Sequence, residues 1–151
     1  MGLDMYLDKE TYVKNWDLQK PEERYEITIT KGGKVVKTID PSKIKFIVEE
    51  VGYWQKANAI HKWFVGNVQN GIDECQRSYV SKKQLEELLE LVKKVMADNS
   101  QAHSLLPIQS GFFFGSTNYD EWYLQYLEET KKILEVALTD DSGDYYYQAS
   151  W

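Results

Sequence analysis

The order in which periodic segments follow one another along the sequence is the feature that most constrains the fold. Apolar and polar side chains alternate within residues 3–13, 25–39 and 44–51, which predicts β-strands in the first third of the chain. Helical spacing of apolar residues follows, and an aromatic-rich alternating segment closes the chain. This order predicts one α+β domain over residues 1–151, with an antiparallel or mixed β-sheet, about three α-helices packed on it, and the C-terminal strand returning to the sheet.

Glycines mark two boundaries among the predicted strands. The Gly32-Gly33 pair lies in the middle of residues 25–39, and adjacent glycines favour the tight turn of a β-hairpin. Gly52 follows the β-branched residues of segment 44–51, so we expect it to end that strand.

Capping residues mark the starts of two later helices. Ser81 and Gln84 have the spacing of a capping box and open the clearest helix. Its apolar stripe is Leu85, Leu88, Leu89, Val92, Val95 and Met96. Asn118 with Glu121 predicts the N-terminal cap of a second long helix, which carries several tyrosines and leucines on one face.

Overall composition limits the classes of function. The 151 residues are 42% hydrophobic and 28% charged, as in one globular domain. A net charge of −6 without a basic run argues against general nucleic-acid binding, which needs clustered cations. Aromatic residues make up 14% of the chain, too many for all to be buried, so some are expected at an interface. This surplus leaves self-association open.

Few residues are suited to metals or disulfides. Cys75 is the single cysteine and there are two histidines, which argues against a disulfide and against a metal site. No cofactor motif is present. The first residues lack the basic and apolar regions of a secretory signal, and no apolar run has membrane-spanning length. We therefore expect a cytoplasmic protein that does not enter a membrane.

Residues 52–67 mix core residues and potential ligand contacts more densely than any other stretch. Helical spacing of its apolar residues predicts a helix that ends within residues 66–71. His61 on this helix could act as a general base oriented by Asn58. A half-buried histidine bonded to a backbone carbonyl is the favoured interpretation, because no nucleophile or carboxylate lies at a matching spacing.

The segment over residues 109–117 is a second candidate, a glycine-punctuated loop before a helix. Backbone N–H groups at such a place can receive an anion, but Asp120 and Glu121 already put negative charge there. Packing of its phenylalanines into the core is the favoured interpretation. Adjacent side chains diverge, so at least one of the three rings is expected to face a pocket or a partner.

Three motifs carry a resemblance to a known family. They are MGLDMYL at residues 1–7, GYWQKANAIHKWFV at residues 52–65 and QSGFFFGST at residues 109–117. In these motifs the chain resembles a family of small proteins of tailed bacteriophages and prophages. The resemblance implies a genomic context and a location in the host cytoplasm, and analogy with other small phage accessory proteins implies a counter-defence role.

Two classes of function follow from these features. The first is a phage accessory binding protein, which sequesters a small nucleotide-like ligand or binds and inhibits a host defence protein. A bound ligand would meet residues of one helix and of the loop: Trp54, Lys56, Asn58, His61, Trp63, Phe113, Ser116 and Thr117. The alternative is an enzyme that processes a nucleotide or phosphodiester with His61 as general base.

Overall fold

Six strands and four α-helices follow one another along residues 2–151, the part of the chain that the computed structural model describes. The strands are β1 (Asp4–Tyr12), β2 (Thr30–Lys31), β3 (Lys34–Val35), β4 (Phe46–Gln55), β5 (Ser78–Val80) and β6 (Asp144–Ser150). The helices are α1 (Asn58–Asn67), α2 (Lys82–Ala97), α3 (Ala102–Leu105) and α4 (Glu121–Ala137). Single 3-10 turns lie at Pro21–Glu23, Pro41–Lys43 and Asn99–Gln101.

The main sheet has the strand order β4-β1-β6-β5, and all neighbours are antiparallel. The C-terminal strand β6 pairs with β1 from Asp4 opposite Ser150 to Glu10 opposite Asp144. The predicted return of the last strand to the sheet is therefore confirmed, as is the α+β fold. Insertion of β6 beside β1 leaves β4 at one edge of the sheet and β5 at the other.

One face of this sheet is buried under the helices. Alternate residues of β1 and β6 point to that face, where Met5, Leu7, Tyr145, Tyr147 and Ala149 are buried. Leu3, which precedes β1, is buried with them. The predicted stripe of α2 belongs to the same buried core, apart from Met96, which is 37% exposed at the end of the helix. Within residues 2–151, no helix is long and apolar enough to cross a membrane.

Gly52 does not end a strand, so that prediction is wrong. Strand β4 continues through it to Gln55, and Gly52 lies opposite Leu7. A Cβ atom at Gly52 would lie 2.7 Å from Cγ2 of Ile133, so the glycine allows α4 to approach the sheet closely. The pairing register shifts next to it, where Val51 is an extra residue that forms a β-bulge.

The predicted hairpin over residues 25–39 is present only around its turn. Strands β2 and β3 have two residues each, joined by Gly32 and Gly33 with φ angles of 59° and 79°. Positive φ at both positions is the geometry that favours glycine in such turns. The rest of the segment is not in strands, because it belongs to an arm (residues 14–45) in which Gln19 is the single buried residue. Its alternating apolar residues have no core to face.

Two helix starts differ from the sequence prediction, and one agrees. The capping box of Ser81 and Gln84 is confirmed. Helix α4 is capped by Asp120, whose carboxylate accepts a hydrogen bond from the backbone N–H of Tyr123, and not by Asn118. Helix α1 begins only at Asn58, because β4 occupies the residues before it through Gln55.

Substitution of Gly52 tests the close approach of α4 to the sheet. We expect Gly52→Ala to lower the free energy of unfolding by about 1–3 kcal/mol, because the added methyl group overlaps Ile133. Urea unfolding followed by circular dichroism measures the change, and the loss should shrink in an Ile133→Ala background.

The control is Gly66→Ala in α1, where a Cβ meets no atom within 4 Å. This change should be neutral or stabilising by up to about 1 kcal/mol, because alanine favours a helix. Equal stability of Gly52→Ala and the wild type would contradict the packing argument.

Candidate functional site

The first turn of α1 is bonded to the loop over residues 107–118 through one amide side chain. Asn58 Nδ2 donates to the carbonyl oxygens of Phe114 and Ser116, both at 2.9 Å. Asn58 Oδ1 accepts from the backbone N–H of Gln109 at 3.0 Å. The amide is 5% exposed, and all of these partners are main-chain groups of the loop. Asn58 therefore acts as a clamp that holds the loop on the helix.

The three phenylalanines of the loop have different environments. Phe114 is buried, with its ring edge-to-face against His61 at a centroid distance of 5.3 Å. Phe113 is half-buried, and its carbonyl accepts from the N–H of Leu3 at 3.1 Å. Phe112 is 94% exposed. One ring thus fills the core and another faces solvent.

Little space remains between α1, the loop and α4. The cavity there has a volume of about 20 Å³, lined by residues that include Ala57, Asn58, Ile108, Ser116 and Tyr123. That is room for about one water molecule, whereas sites for small organic ligands enclose about 300–1,000 Å³. The helix and the loop are in contact, as predicted, but their packing leaves no room for a small organic ligand.

The two tryptophans predicted to line this recess lie in the core. Trp54 is on β4 and not on α1, which corrects the helical placement of this residue. It is 1% exposed, and its Nε1–H donates to Thr130 Oγ1 at 2.8 Å. Trp63 is on α1 and 7% exposed. Neither indole has a free face at the surface.

The other predicted contacts lie nearer to solvent. Lys56 is an exposed residue between β4 and α1 with a φ of 59°, and its side chain packs over Gly115. Ser116 Oγ donates to Asp120 Oδ2 at 3.2 Å. Thr117 is exposed. Of these three residues, Ser116 lines the recess, whereas Lys56 and Thr117 lie outside its lining.

His61 is fully buried and bonded at both ring nitrogens. Nε2 lies 2.9 Å from Asp73 Oδ2, and Nδ1 lies 2.7 Å from the Tyr147 hydroxyl. Because a carboxylate can only accept, Nε2 carries a proton, and in the neutral imidazole Nδ1 is then the acceptor for the Tyr147 hydroxyl. The second oxygen of Asp73 accepts from Trp151 Nε1 at 3.0 Å. His61 is therefore bonded to side chains, not to a backbone carbonyl as the favoured interpretation proposed.

The chemistry of this Asp73–His61–Tyr147 chain is that of a core network. Burial, reinforced by the nearby Asp73 carboxylate, holds the pKa of Tyr147 well above its usual value, so its hydroxyl stays protonated. The ring of Phe64 stacks on Tyr147 at 3.9 Å. No spacing rule connects His61 with Asp73, because a turn after α1 brings them together.

The second face of the sheet carries side chains that are half-buried or exposed, in contrast to the face under the helices. We call it the open face, and it is formed by the outward side chains of β1, β4, β5 and β6. Its tyrosines are Tyr6, Tyr12, Tyr53, Tyr79 and Tyr146, and its carboxylates are Asp4, Asp8, Glu10, Glu50 and Asp144. The sequence predicted that some aromatic residues lie at an interface, but it could not show which of them lie together.

Contacts within the open face hold its rings in place. Tyr6 and Tyr53 lie side by side with ring centroids 5.5 Å apart. The Tyr53 hydroxyl donates to Asp4 Oδ1 at 2.6 Å, and this bond raises the pKa of Tyr53 to about 12. The Arg77 guanidinium lies 3.8 Å from the ring centroid of Tyr146. Five carboxylates against this single cation make the open face acidic.

No metal site within residues 2–151 and no similar protein indicates a function. Among residues 2–151, no three His, Cys, Asp or Glu side chains are grouped so that they could hold a metal ion. Comparison with family models, curated proteins and solved structures gives no match. The resemblance to phage proteins therefore stays a prediction, and the site must be interpreted from its own geometry.

Asn58→Asp tests the clamp between helix and loop. The substitution keeps the shape but replaces a donor with an oxygen that faces two carbonyl groups. We expect a loss of about 2–4 kcal/mol in unfolding free energy, and faster hydrogen exchange at Gln109.

The matched control is Asn67→Asp, at an exposed position whose side-chain amide donates to the Trp63 carbonyl. Its effect should stay within about 1 kcal/mol. A loop that remains protected in Asn58→Asp would show that Asn58 is not the clamp.

Tyr147→Phe tests the structural role of the His61 chain. Loss of the hydroxyl leaves Nδ1 of His61 without a donor in the core, at a cost of about 1–2 kcal/mol. Urea unfolding measures this, with Tyr79→Phe on the open face as a control expected within about 0.5 kcal/mol. Unchanged stability of Tyr147→Phe would weaken the structural interpretation.

Proposed function

We propose that this chain is a binding protein that covers a basic surface of a protein partner with its open face and inhibits that partner. The observation that supports this most directly is the presence of five tyrosines, three of them exposed, together with five carboxylates on one face of the sheet. Tyrosines are enriched at protein interfaces because they bury a large area with little loss of side-chain freedom. The carboxylates select a partner of opposite charge and speed the encounter.

The shape of the surface supports a macromolecular partner over a small ligand. The open face spans four strands and has its tyrosines spread over it, from Tyr12 near one end of β1 to Tyr79 on the β5 edge. Small ligands bind in concave sites that enclose most of their surface. The recess between α1 and the loop has no such volume. A flat or convex protein surface fits the open face better.

The charge of the face supports a protein over a nucleic acid. Exposed aromatic rings on a sheet can stack on bases, but phosphate groups must then be neutralised by nearby lysines or arginines. Arg77 is paired with Glu10 at 3.8 Å and lies over the ring of Tyr146, so its charge is already engaged within the protein. The neighbouring carboxylates would repel one.

The resemblance to tailed-phage proteins supplies the proposed biological setting. A small phage protein made in the host cytoplasm can act by occupying a functional surface of a host enzyme. Many defence enzymes act on nucleic acids or nucleotides and carry basic surfaces for that purpose. The proposed partner is therefore a host defence protein with such a surface.

Burial of the alternative site supports binding over catalysis and over ligand sequestration. Both nitrogens of His61 are bonded within the protein, and Asn58 has already used its amide on the loop. A general base must reach a substrate proton within hydrogen-bond distance. An opening of the core would have to precede either of these activities.

Site-specific photo-crosslinking in bacterial lysate tests the proposal. A photo-reactive residue at Tyr79, which is 54% exposed on the open face, should give a partner adduct. The control position is Trp122, which is 61% exposed on α4, outside the open face. High salt should reduce the adduct, since it screens exposed charges. An adduct at Trp122 alone would overturn the proposal.

Charge reversal gives a second arm of the same experiment. Asp8→Lys on the open face should lower capture of the partner by roughly tenfold or more, because like charges then face each other. Glu128→Lys makes the same charge change on α4 and should leave capture unchanged.

Calorimetry with cyclic nucleotides should give no heat of binding. Tight binding that Asn58→Asp abolishes would instead support ligand sequestration.

A further inference from the structure

Strand β4 leaves an apolar edge without a neighbour. It pairs with β1 alone, and no other strand in residues 2–151 lies along its outer side. Phe46, Ile47 and Val48 are 45%, 41% and 52% exposed. Natural edge strands are protected by prolines, charged side chains, β-bulges or a covering element. Residues 46–48 contain no proline and no charge, and the bulge of β4 lies further along the strand, at Val51.

The backbone of this edge has a defined polarity. Val13 N–H donates to the Lys45 carbonyl at 2.8 Å, so the polar groups of Lys45 point toward β1. The direction of the backbone groups alternates along a strand. The N–H and C=O groups of Ile47 and Glu49 therefore also point toward β1, whereas those of Phe46 and Val48 point away from it. Those outward groups are free to bond a further strand.

We propose that the partner of this edge is a second copy of the same chain, paired antiparallel through β4 about a twofold axis at Ile47. In this register Ile47 lies opposite its own copy, and Phe46 lies opposite Val48. The backbone groups that point away from β1 in one copy then face the same groups of the other copy, because Phe46 and Val48 form a hydrogen-bonded pair on each side of the axis. These two pairs alone would supply about four backbone hydrogen bonds.

Side-chain charge selects this register over its neighbours. With Ile47 on the axis, Lys45 of each copy lies opposite Glu49 of the other. Lys45 is exposed and has no ion pair within residues 2–151, and the Glu49 side chain is 57% exposed despite its contact with Lys9. The segment from Lys45 to Glu49 is thus complementary to its own reverse.

The registers on either side lose this match. An axis at Val48 places Ile47 opposite Glu49 and leaves Lys45 opposite Val51, at the bulge. An axis at Phe46 places Lys43 opposite Glu49, but Lys43 lies in a 3-10 turn and cannot pair as a strand. An axis that lies between two residues would place backbone groups that point toward β1 opposite backbone groups that point away from it.

Cysteine crosslinking tests the register in a Cys75→Ser background. Ile47→Cys puts two thiols in a non-hydrogen-bonded pair on the axis, where Cα atoms lie about 4.5 Å apart, within the range of a disulfide. This variant should form a covalent dimer rapidly under mild oxidation. Val48→Cys is the matched control, because its two copies lie beyond the roughly 7 Å limit and should stay uncrosslinked.

Charge exchange tests the same contact through the molecular mass in light scattering. The wild type should have twice the mass of one chain, and Lys45→Glu should weaken self-association at least roughly tenfold, because two glutamates then face each other. The double variant Lys45→Glu/Glu49→Lys should restore the dimer. Ile39→Lys, at an arm position that is 46% exposed, should have no effect.

Three outcomes would overturn the dimer. They are a monomeric wild type at every concentration, equal crosslinking of Ile47→Cys and Val48→Cys, and a double variant that stays as weak as Lys45→Glu. Thermal unfolding of each variant checks that the fold is intact. None of these measurements involves a host partner, so their failure leaves the function proposed for the open face untouched.

Discussion

One-sided burial of the central strand pair β1–β6 determines the rest of this structure. Met5 and Leu7 on β1, with Tyr145 and Tyr147 on β6, share one buried core with α1, α2 and α4 on one side of the sheet. Because side chains alternate, every outward residue of the same strands is left to solvent. Because β6 occupies the position beside β1, β4 is confined to an edge. Both exposed surfaces, the open face and the β4 edge, are consequences of this pairing.

The same burial explains why residues of ligand-binding type are used for packing. Asn58, His61 and Trp54 each have polar atoms in the core, and each bonds to a group from a distant part of the chain. A buried polar atom without a partner is costly, so these bonds favour one arrangement of α1 over others. Dense mixing of aromatic and polar residues in residues 52–67 thus specifies a core junction between the sheet, α4 and the loop.

Structural features that depend on neighbouring residues could be predicted from the sequence. The capping box at Ser81, the glycine turn at Gly32 and the alternation of β6 depend on neighbouring residues, and the structure contains all three. Errors arose where a distant element decides. Gly52 looked like a strand end because the approach of Ile133 is invisible in the sequence, and the bond of His61 to Asp73 depends on a turn. The open face could not be assembled without the register of four strands.

The open face and the β4 edge require partners with different charge patterns. The open face presents carboxylates in excess, so a second copy of this face would be repelled, and self-association through it is disfavoured. The β4 edge carries Lys45 before and Glu49 after its apolar centre, which matches only an antiparallel strand with the reverse order of charge. A twofold axis between antiparallel edge strands is perpendicular to the sheet, so it leaves both open faces on the same side. Pairing of two copies at the edge would therefore double the acidic tyrosine surface without covering any of it.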